Sequence, residues 1–370
     1  MKFKKLQLIF TTVIAFSLVL SGCTKSTSSD VTDTSASQTS KSQTFASQSS
    51  SSQTSAGEKN TAAVSEAAYP ITIKHAFGET VIKSKPKRVA TISWGNQDLP
   101  LALGVIPVGI SKANYGVTDN SGLLPWTMAK YKELGVNNPV LFDDVAGLNF
   151  EAISDVKPDV ILAAYSGITL EEYNLLSEIA PVVAYPTQPW QTLWRDQIVI
   201  DATGMGMKAE GEALVSGLEA LIGEKAGKFP QIAGKTAAFF YFTPTDLSKF
   251  YVYLPSDPRA AYLTDLGMKF PESVTKLAAE SNSFALEISA ENVDILQGID
   301  IMVTYGNNKL LAAMQADALV GTIPAVKRGS VAVIEDGTPL AASGTPSALS
   351  IPATIDDYLQ VIGEAADKVK

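Results

Sequence analysis

A chain of 370 residues with 46% apolar content is long enough for two domains of ordinary size, each with its own core. Its 38 acidic against 29 basic side chains leave a formal charge of −9, which argues against nucleic acid as a partner, since that demands basic patches. With one histidine, His75, and one cysteine, Cys23, it lacks the several His ligands used in direct capture of zinc or manganese, so no metal site is expected.

The first residues do not belong to the folded core. Lys2, Lys4 and Lys5 form a positive leader segment, and Leu6 to Leu20 is mostly apolar but short for a membrane span. The segment ends in Leu20-Ser21-Gly22-Cys23, which resembles the lipobox of bacterial lipoproteins. Residues 1–22 are therefore expected to be a signal peptide, and Cys23 the acylated N-terminus of an exported, lipid-anchored protein. Loss of the three leader lysines takes the formal charge from −9 to −12. Residues 23–66, rich in Ser, Thr, Gln and Ala and without apolar periodicity, read as a flexible tether. Such a tether, with no cysteine in the folded part, points to the outer face of a Gram-positive cell membrane.

Residues 67–189 read as an α/β lobe with a mainly parallel sheet. Tyr69 to Lys83 alternates around Phe77-Gly78 as a hairpin, which places His75 on its surface. Val89 to Ile92 is a buried strand, a short helix opens at Gly95-Asn96, and a strand follows over Val105 to Ile110. Asn149 caps a helix from Phe150, and Asp159 to Ala163 is a parallel strand. Thr169 caps a helix from Leu170 to Ile179, before a last strand, Val182 to Ala184.

Residues 190–230 carry Leu214, Leu218, Leu221 and Ile222 on one helical face, with Ala202, Ala209 and Ala213 continuing the stripe. Thr192 is the expected N-cap and Gly227 the stop. A helix of this length would reach about 50 Å, a spacer between two lobes, with a bend or break at Gly204 and Gly206.

Residues 231–370 begin the pattern again. Lys235 to Phe242 is a strand with a hairpin partner over Tyr251 to Leu254, and Ala260 to Leu266 a helix ended by Gly267. Ser289 caps a helix that carries Glu291 and leads to the strand Asp300 to Tyr305. Glu151 and Glu291 thus each occupy the first turn of a helix leading into a core strand. The helix dipole favours an acid there in any case, by about 0.3–1 kcal/mol. Two equivalent exposed carboxylates would also suit docking to a partner with two symmetrically placed arginines.

The segments PKRVATISWGNQDLPLALGVIPVGI, NFEAISDVKPDVILAAYSGITLEEYNLLSEIAPVVAYP, PWQTLWRDQ, DPRAAYLTDLGMKFP, LEISAENVDILQGIDIMVTY and IPAVKRGSVAVI, taken in order, resemble the solute-binding lipoproteins of iron-siderophore ABC importers. The resemblance implies two α/β lobes joined by one rigid helix, with a ferric siderophore clasped between them as ligand and no cofactor. It also implies delivery to an ABC permease dimer with its ATPase subunits, with Glu151 and Glu291 meeting permease arginines. Haem or cobalamin, carried by related proteins, is the alternative ligand.

A ferric tris-catecholate is anionic and wants arginine and aromatic faces, whereas a ferric hydroxamate is nearer neutral and wants aromatics with a few donors. Arg259, just after a strand of the second lobe, and Arg195, at the start of the long helix, are the expected ligand arginines, though Arg195 could instead pair with Asp196 or Glu172; Arg88 and Arg328 read as structural or solvated. Trp94 and Tyr165 follow strands of the first lobe, and Tyr241 and Tyr305 hold similar places in the second, where open sheets bind ligands. Tyr115, Trp126 and Trp190 are candidates for the rim, and Lys112 a weaker basic one. Arg259→Ala would weaken binding by about 1–3 kcal/mol if the arginine meets a desolvated anionic chelate. Against an enzyme stand the missing nucleophile elbow and P-loop, and a Gly204-Met205-Gly206 stretch that no third glycine completes as a dinucleotide fingerprint.

Overall fold

In the computed structural model residues 67–369 are described, and they fall within one compact unit. The leader, Cys23 and the tether lie outside the described residues. A hairpin of β1 (Ile71–His75) and β2 (Gly78–Ile82) precedes the first sheet. That sheet contains β3 (Val89–Thr91), β4 (Gly109–Ser111), β5 (Leu141–Phe142), β6 (Val160–Ala163) and β7 (Val182–Ala184). Its order is β5-β4-β3-β6-β7, and every pairing is parallel. Helices α1 (Asp98–Ala102), α2 (Pro125–Glu133), α3 (Phe150–Asp155) and α4 (Leu170–Ile179) connect these strands. The Asn149 side chain caps α3, and Thr169 with Glu172 forms a capping box on α4.

Two helices follow, α5 (Trp194–Gly204) and α6 (Lys208–Ala226). The break expected near Gly204 and Gly206 is a full reversal rather than a bend. Gly206 stands at φ +68°, and a Cβ on Gly211 would lie 2.5 Å from that of Ala202, so α6 runs back along α5. The spacer is therefore a helical hairpin, with α6 only about 28 Å long. Leu193, not Thr192, precedes the first turn of α5, and Ala209 and Ala213 face solvent rather than extending the apolar stripe. The buried face of α6 is Gly211, Leu218 and Ile222.

The second sheet contains β8 (Ala237–Thr243), β9 (Asp246–Tyr253), β10 (Ala285–Ser289), β11 (Ile301–Gly306) and β12 (Val331–Glu335). Its order is β10-β9-β8-β11-β12, with β8, β11 and β12 parallel and β9 antiparallel to both neighbours. Helices α7 (Pro258–Asp265), α8 (Glu272–Ala279), α9 (Leu310–Ala316), α10 (Pro324–Arg328), α11 (Pro339–Ala342) and α12 (Ser350–Ala366) complete the lobe. Ser289 caps as expected, but the element it opens, Ala290–Leu296, is a 3-10 helix rather than an α-helix.

Two further expectations are corrected. His75 is buried, not on the surface: its Nε2 lies 3.0 Å from the Thr80 hydroxyl, its Nδ1 accepts from the Phe77 amide, and desolvation lowers its pKa. Trp126 is not at a rim. It sits buried on α2, where its Nε1 donates to Asp98 at 3.0 Å.

One hydrophobic cluster runs through both lobes, from Val89, Leu162 and Val183 through Trp194, Ile198, Leu218 and Ile222 to Phe239, Tyr262, Tyr358 and Leu359. Beside it Asp98, 1% exposed at the start of α1, accepts hydrogen bonds from Trp126, Thr127 and Gln97 of its own lobe and from the Ser347 hydroxyl of the other. Burial pushes its pKa up to about 6, against the pull of those four donors. The folded protein then holds this proton more tightly than the unfolded chain, whose value is 3.8, so stability falls as pH rises from about 4 through 6. The penalty above that window is about 3 kcal/mol. Asp98→Asn should destabilise most at pH 4 and progressively less toward pH 7, by roughly that amount. Urea denaturation at the two pH values checks this, and an unchanged difference between variant and wild type would speak against it.

Candidate functional site

In each sheet the chain starts at the middle strand, builds outward to one side, then crosses to the other. The point of reversal lies between β3 and β6 in the first sheet and between β8 and β11 in the second. A crevice outside the carboxyl ends of the strands at such a point is where open α/β sheets take ligands. In the first lobe the buried Asn96 staples the two strand ends together. Its Nδ2 donates to the carbonyls of Ile92 (2.7 Å) and Tyr165 (2.9 Å), and its Oδ1 accepts from the Tyr165 amide (3.0 Å) and Gln197 (3.0 Å). The staple fixes Trp94, just past β3, relative to Tyr165, just past β6. Trp190 stands edge-on to Tyr165 with ring centroids 5.3 Å apart. A Cβ at Gly167 would come within 2.2 Å of the Trp190 Nε1, so only glycine fits behind that indole. In the second lobe Tyr241 and Tyr305 are register partners on β8 and β11, which puts both phenols on one face of the sheet.

Trp94, Tyr165, Trp190, Tyr241 and Tyr305 line one interlobe cleft of about 610 Å³, together with Asn114, Tyr115, Tyr253, Arg259, Phe284, Asp336, Ala341, Ala342 and Thr345. That volume falls in the range of small-molecule and cofactor sites. The lobes meet across the cleft: the Tyr115 phenol donates to Asp336 at 2.5 Å and accepts from the Gly337 amide at 3.2 Å. Thr345 is hydrogen-bonded to the Tyr165 phenol. Burial raises the pKa of Tyr115, Tyr165 and Tyr305, so all three are neutral phenols at physiological pH.

Arg259 sits in the first turn of α7. Its Nε and one terminal nitrogen grip both oxygens of the fully buried Asp257, at 2.8 and 2.6 Å, and its guanidinium lies 4.0 Å from the centre of the Tyr253 ring. Burial alone would lower its pKa, but the hydrogen bonds and charge of Asp257 outweigh that and hold it raised.

Trp94, Tyr165, Tyr241, Arg259 and Tyr305 are thus brought together as the sequence suggested, and Tyr115 and Trp190 join them. Arg195 is not. Its guanidinium lies outside the cleft lining and bridges Glu219 of α6 (2.6 Å) and Asp265 of α7 (2.8 Å), where Asp265 also accepts from the Trp194 indole (2.8 Å). Arg88 bonds the carbonyls of Val156 and Lys157, and Arg328 those of Ile299 and Asp300, both structural roles. Lys112 borders a smaller annex of about 270 Å³ that shares the Trp94, Asn114 and Trp190 wall. Sequence reasoning missed Tyr253, Phe284, Asp336 and Thr345. Asp336, immediately after β12, obeys the same strand-end rule that found Trp94; Phe284 precedes β10, whose residues gave no strand signal. Glu151 and Glu291 are exposed and lie away from the cleft lining. Among the described residues no cluster of three or more His, Cys, Asp or Glu could hold a metal ion.

The sequence model described as periplasmic binding protein matches residues 89–337, well over half of the chain and all of the cleft lining except Ala341, Ala342 and Thr345. This chain belongs to the periplasmic binding protein family. Its members' fold is seen in the crystal structure of Streptococcus pneumoniae TIGR4 PiaA in complex with ferrichrome, with a TM-score of 0.79 and 54% identity over 81% of this chain and 100% of that one. The Bacillus subtilis (strain 168) protein named "Probable siderophore-binding lipoprotein YfiY" is 26% identical over 299 residues, 78% of this chain and 87% of its own length. The ferric-anguibactin-binding protein FatB of Vibrio anguillarum is 27% identical over 311 residues, 79% of this chain and 87% of its own. The two-lobed α/β architecture of this family is the one described above.

The grip of Arg259 on Asp257 changes what its removal tests. Arg259→Ala leaves a carboxylate buried without its counter-charge and should cost about 3–5 kcal/mol of stability, whereas replacing both partners by apolar residues of similar size should recover much of it. Denaturation of the single and double variants checks this; additive losses would show that the pair is not coupled.

Proposed function

We propose that this protein is the substrate-binding lipoprotein of an ABC importer and captures a ferric siderophore between its lobes for iron uptake. The observation that carries the reading is the cleft itself: about 610 Å³, walled from both lobes by indoles and phenols, with a single cation among its described lining residues. Aromatic faces with a few hydrogen-bond donors suit a compact organic chelate. The names of the relatives support it, since YfiY and FatB are described as siderophore binders and PiaA was solved with ferrichrome. On this reading iron arrives already wrapped in its chelator, the protein makes no bond, and it needs no cofactor.

The anchor belongs to the same proposal. Export with residues 1–22 as leader, acylation of Cys23 and a tether to residue 66 would hold the two lobes, residues 67–189 and 231–370, on the outer face of the membrane. Among the described residues no helix is long and apolar enough to cross a membrane. Delivery would be to a permease dimer driven by its ATPase subunits. Two features support Glu151 and Glu291 as the docking points. Both are exposed, and each lies on the element that leads into the fourth strand of its sheet, β6 and β11.

Titration of the cleft tryptophans by fluorescence quenching should show submicromolar binding of a ferric siderophore and none of haem or cobalamin. Silence of every ferric chelate would defeat the proposal, and binding of haem or cobalamin alone would replace the substrate. Glu151→Ala and Glu291→Ala should each lower iron uptake several-fold while leaving chelate affinity in place, because charges on a docking rim govern encounter rather than the distant cleft. Full transport by the double variant would remove the docking role.

A further inference from the structure

The cleft is poor in usable positive charge. Arg259 is the one cation among its described lining residues, and Asp257 already cancels it at 2.6–2.8 Å. At the mouth stands Asp336, exposed and bonded to the Tyr115 phenol, with no cation paired to it among the described residues. The annex behind Trp94 and Trp190 adds Lys112, itself paired with Asp143 at 3.6 Å, and sets it among Asp144 and Glu172. With Asp257 counted behind Arg259, carboxylates outnumber cations in the cleft, and they do so in the annex as well. A ferric tris-catecholate is a trianion, while a ferric tris-hydroxamate is neutral. An anion brought into a partly desolvated cleft must find compensating charge there, and a facing carboxylate repels it instead.

Building on the siderophore reading, we propose that Asp336, together with the internally neutralised Asp257–Arg259 pair, acts as a charge filter that admits neutral or cationic ferric chelates and rejects anionic ones. The filter acts on selectivity more than on affinity. Contacts of shape and hydrogen bonding hold any chelate of the right size, and the carboxylate at the mouth decides between those of different charge.

The test is a charge series at one position, Asp336→Asn and Asp336→Lys, made in the full chain and read by tryptophan quenching. The probes are ferrichrome as the neutral chelate, a ferric tris-catecholate as the trianion, and a ferric tris-hydroxamate bearing one free ammonium as the cation. Wild type should favour the neutral chelate over the trianion by about a hundredfold or more, and each added unit of charge should shift that ratio by about tenfold toward the trianion. The cation should shift the opposite way, and both shifts should shrink as salt is raised. A ratio that stays constant across the series, or a wild type that takes the trianion as tightly as the neutral chelate, would overturn the filter while leaving the importer reading intact. Failure of the wild type to bind any of the three would instead bring down the functional reading on which the filter rests.

Discussion

Everything about the cleft depends on the reversal at Gly206. A residue with a side chain is strained at φ +68°, and here a Cβ would also run into the Tyr69 phenol at 1.9 Å. Because the chain turns back at that point, α6 lies along α5 instead of projecting from it, and close contact at Gly211 and Ala202 brings the two helices together. The hairpin then serves as common ground for both lobes. Trp194 and Ile198 of α5 and Leu218 and Ile222 of α6 belong to the same buried cluster as strands of the first sheet and helix α12 of the second lobe. Two domains that share one core cannot swing freely, since any wide opening would expose apolar surface at about 25 cal/mol per Å². The Asp265 carboxylate, held by Trp194 and Arg195 of α5, and the Asp98 carboxylate, holding Ser347, fasten the same junction with polar groups.

A rigid junction makes the polar architecture of the cleft affordable to hold in place. Asn96 uses its amide on four backbone and side-chain partners at once, so the ends of β3 and β6 are fixed relative to each other before any ligand arrives. Trp190 is locked against Gly167, and Tyr305 against Gly344, where a Cβ would sit 2.5 Å from the phenol oxygen. These two glycines are required by close approach of a ring rather than by backbone conformation. The aromatic walls are thus preorganised, and the ordering cost that binding would otherwise incur has already been met in folding.

Local signals in the sequence were enough for the strands that run buried on both faces, for the caps at Asn149 and Thr169, and for five cleft residues placed by the strand-end rule. What escaped depends on partners far along the chain. His75 shares the inward face of Ile71 and Ile73 on β1, and Tyr173, 98 residues away, covers it together with Phe77, a partner that no local signal names. Arg195 had only Asp196 and Glu172 as partners to suggest from the sequence, because Glu219 and Asp265, which hold it, come close only after the helical hairpin forms. Trp126 lay in a stretch without apolar rhythm, so neither α2 nor its buried bond to Asp98 could be foreseen. The short β5, of two residues, and the half-exposed β10 carry too little pattern to be read at all.

The balance of charge and aromatic surface bears on how such a cleft could tell a loaded chelator from an empty one. Asp257 offsets the charge of Arg259, so the site offers little long-range attraction and its surroundings are acidic. Recognition must then come from contact: rings in fixed positions, a few neutral phenols as donors, and a cavity of defined shape. An iron-free hydroxamate or catecholate chelator is flexible and would lose many torsions on entering, whereas iron has already frozen the loaded form into one compact shape. A preformed cleft rewards the rigid guest because neither partner has ordering left to do. On the siderophore reading, selection for iron would therefore rest on the stiffness that the metal gives its chelator, and a protein without metal ligands of its own could still distinguish the loaded form.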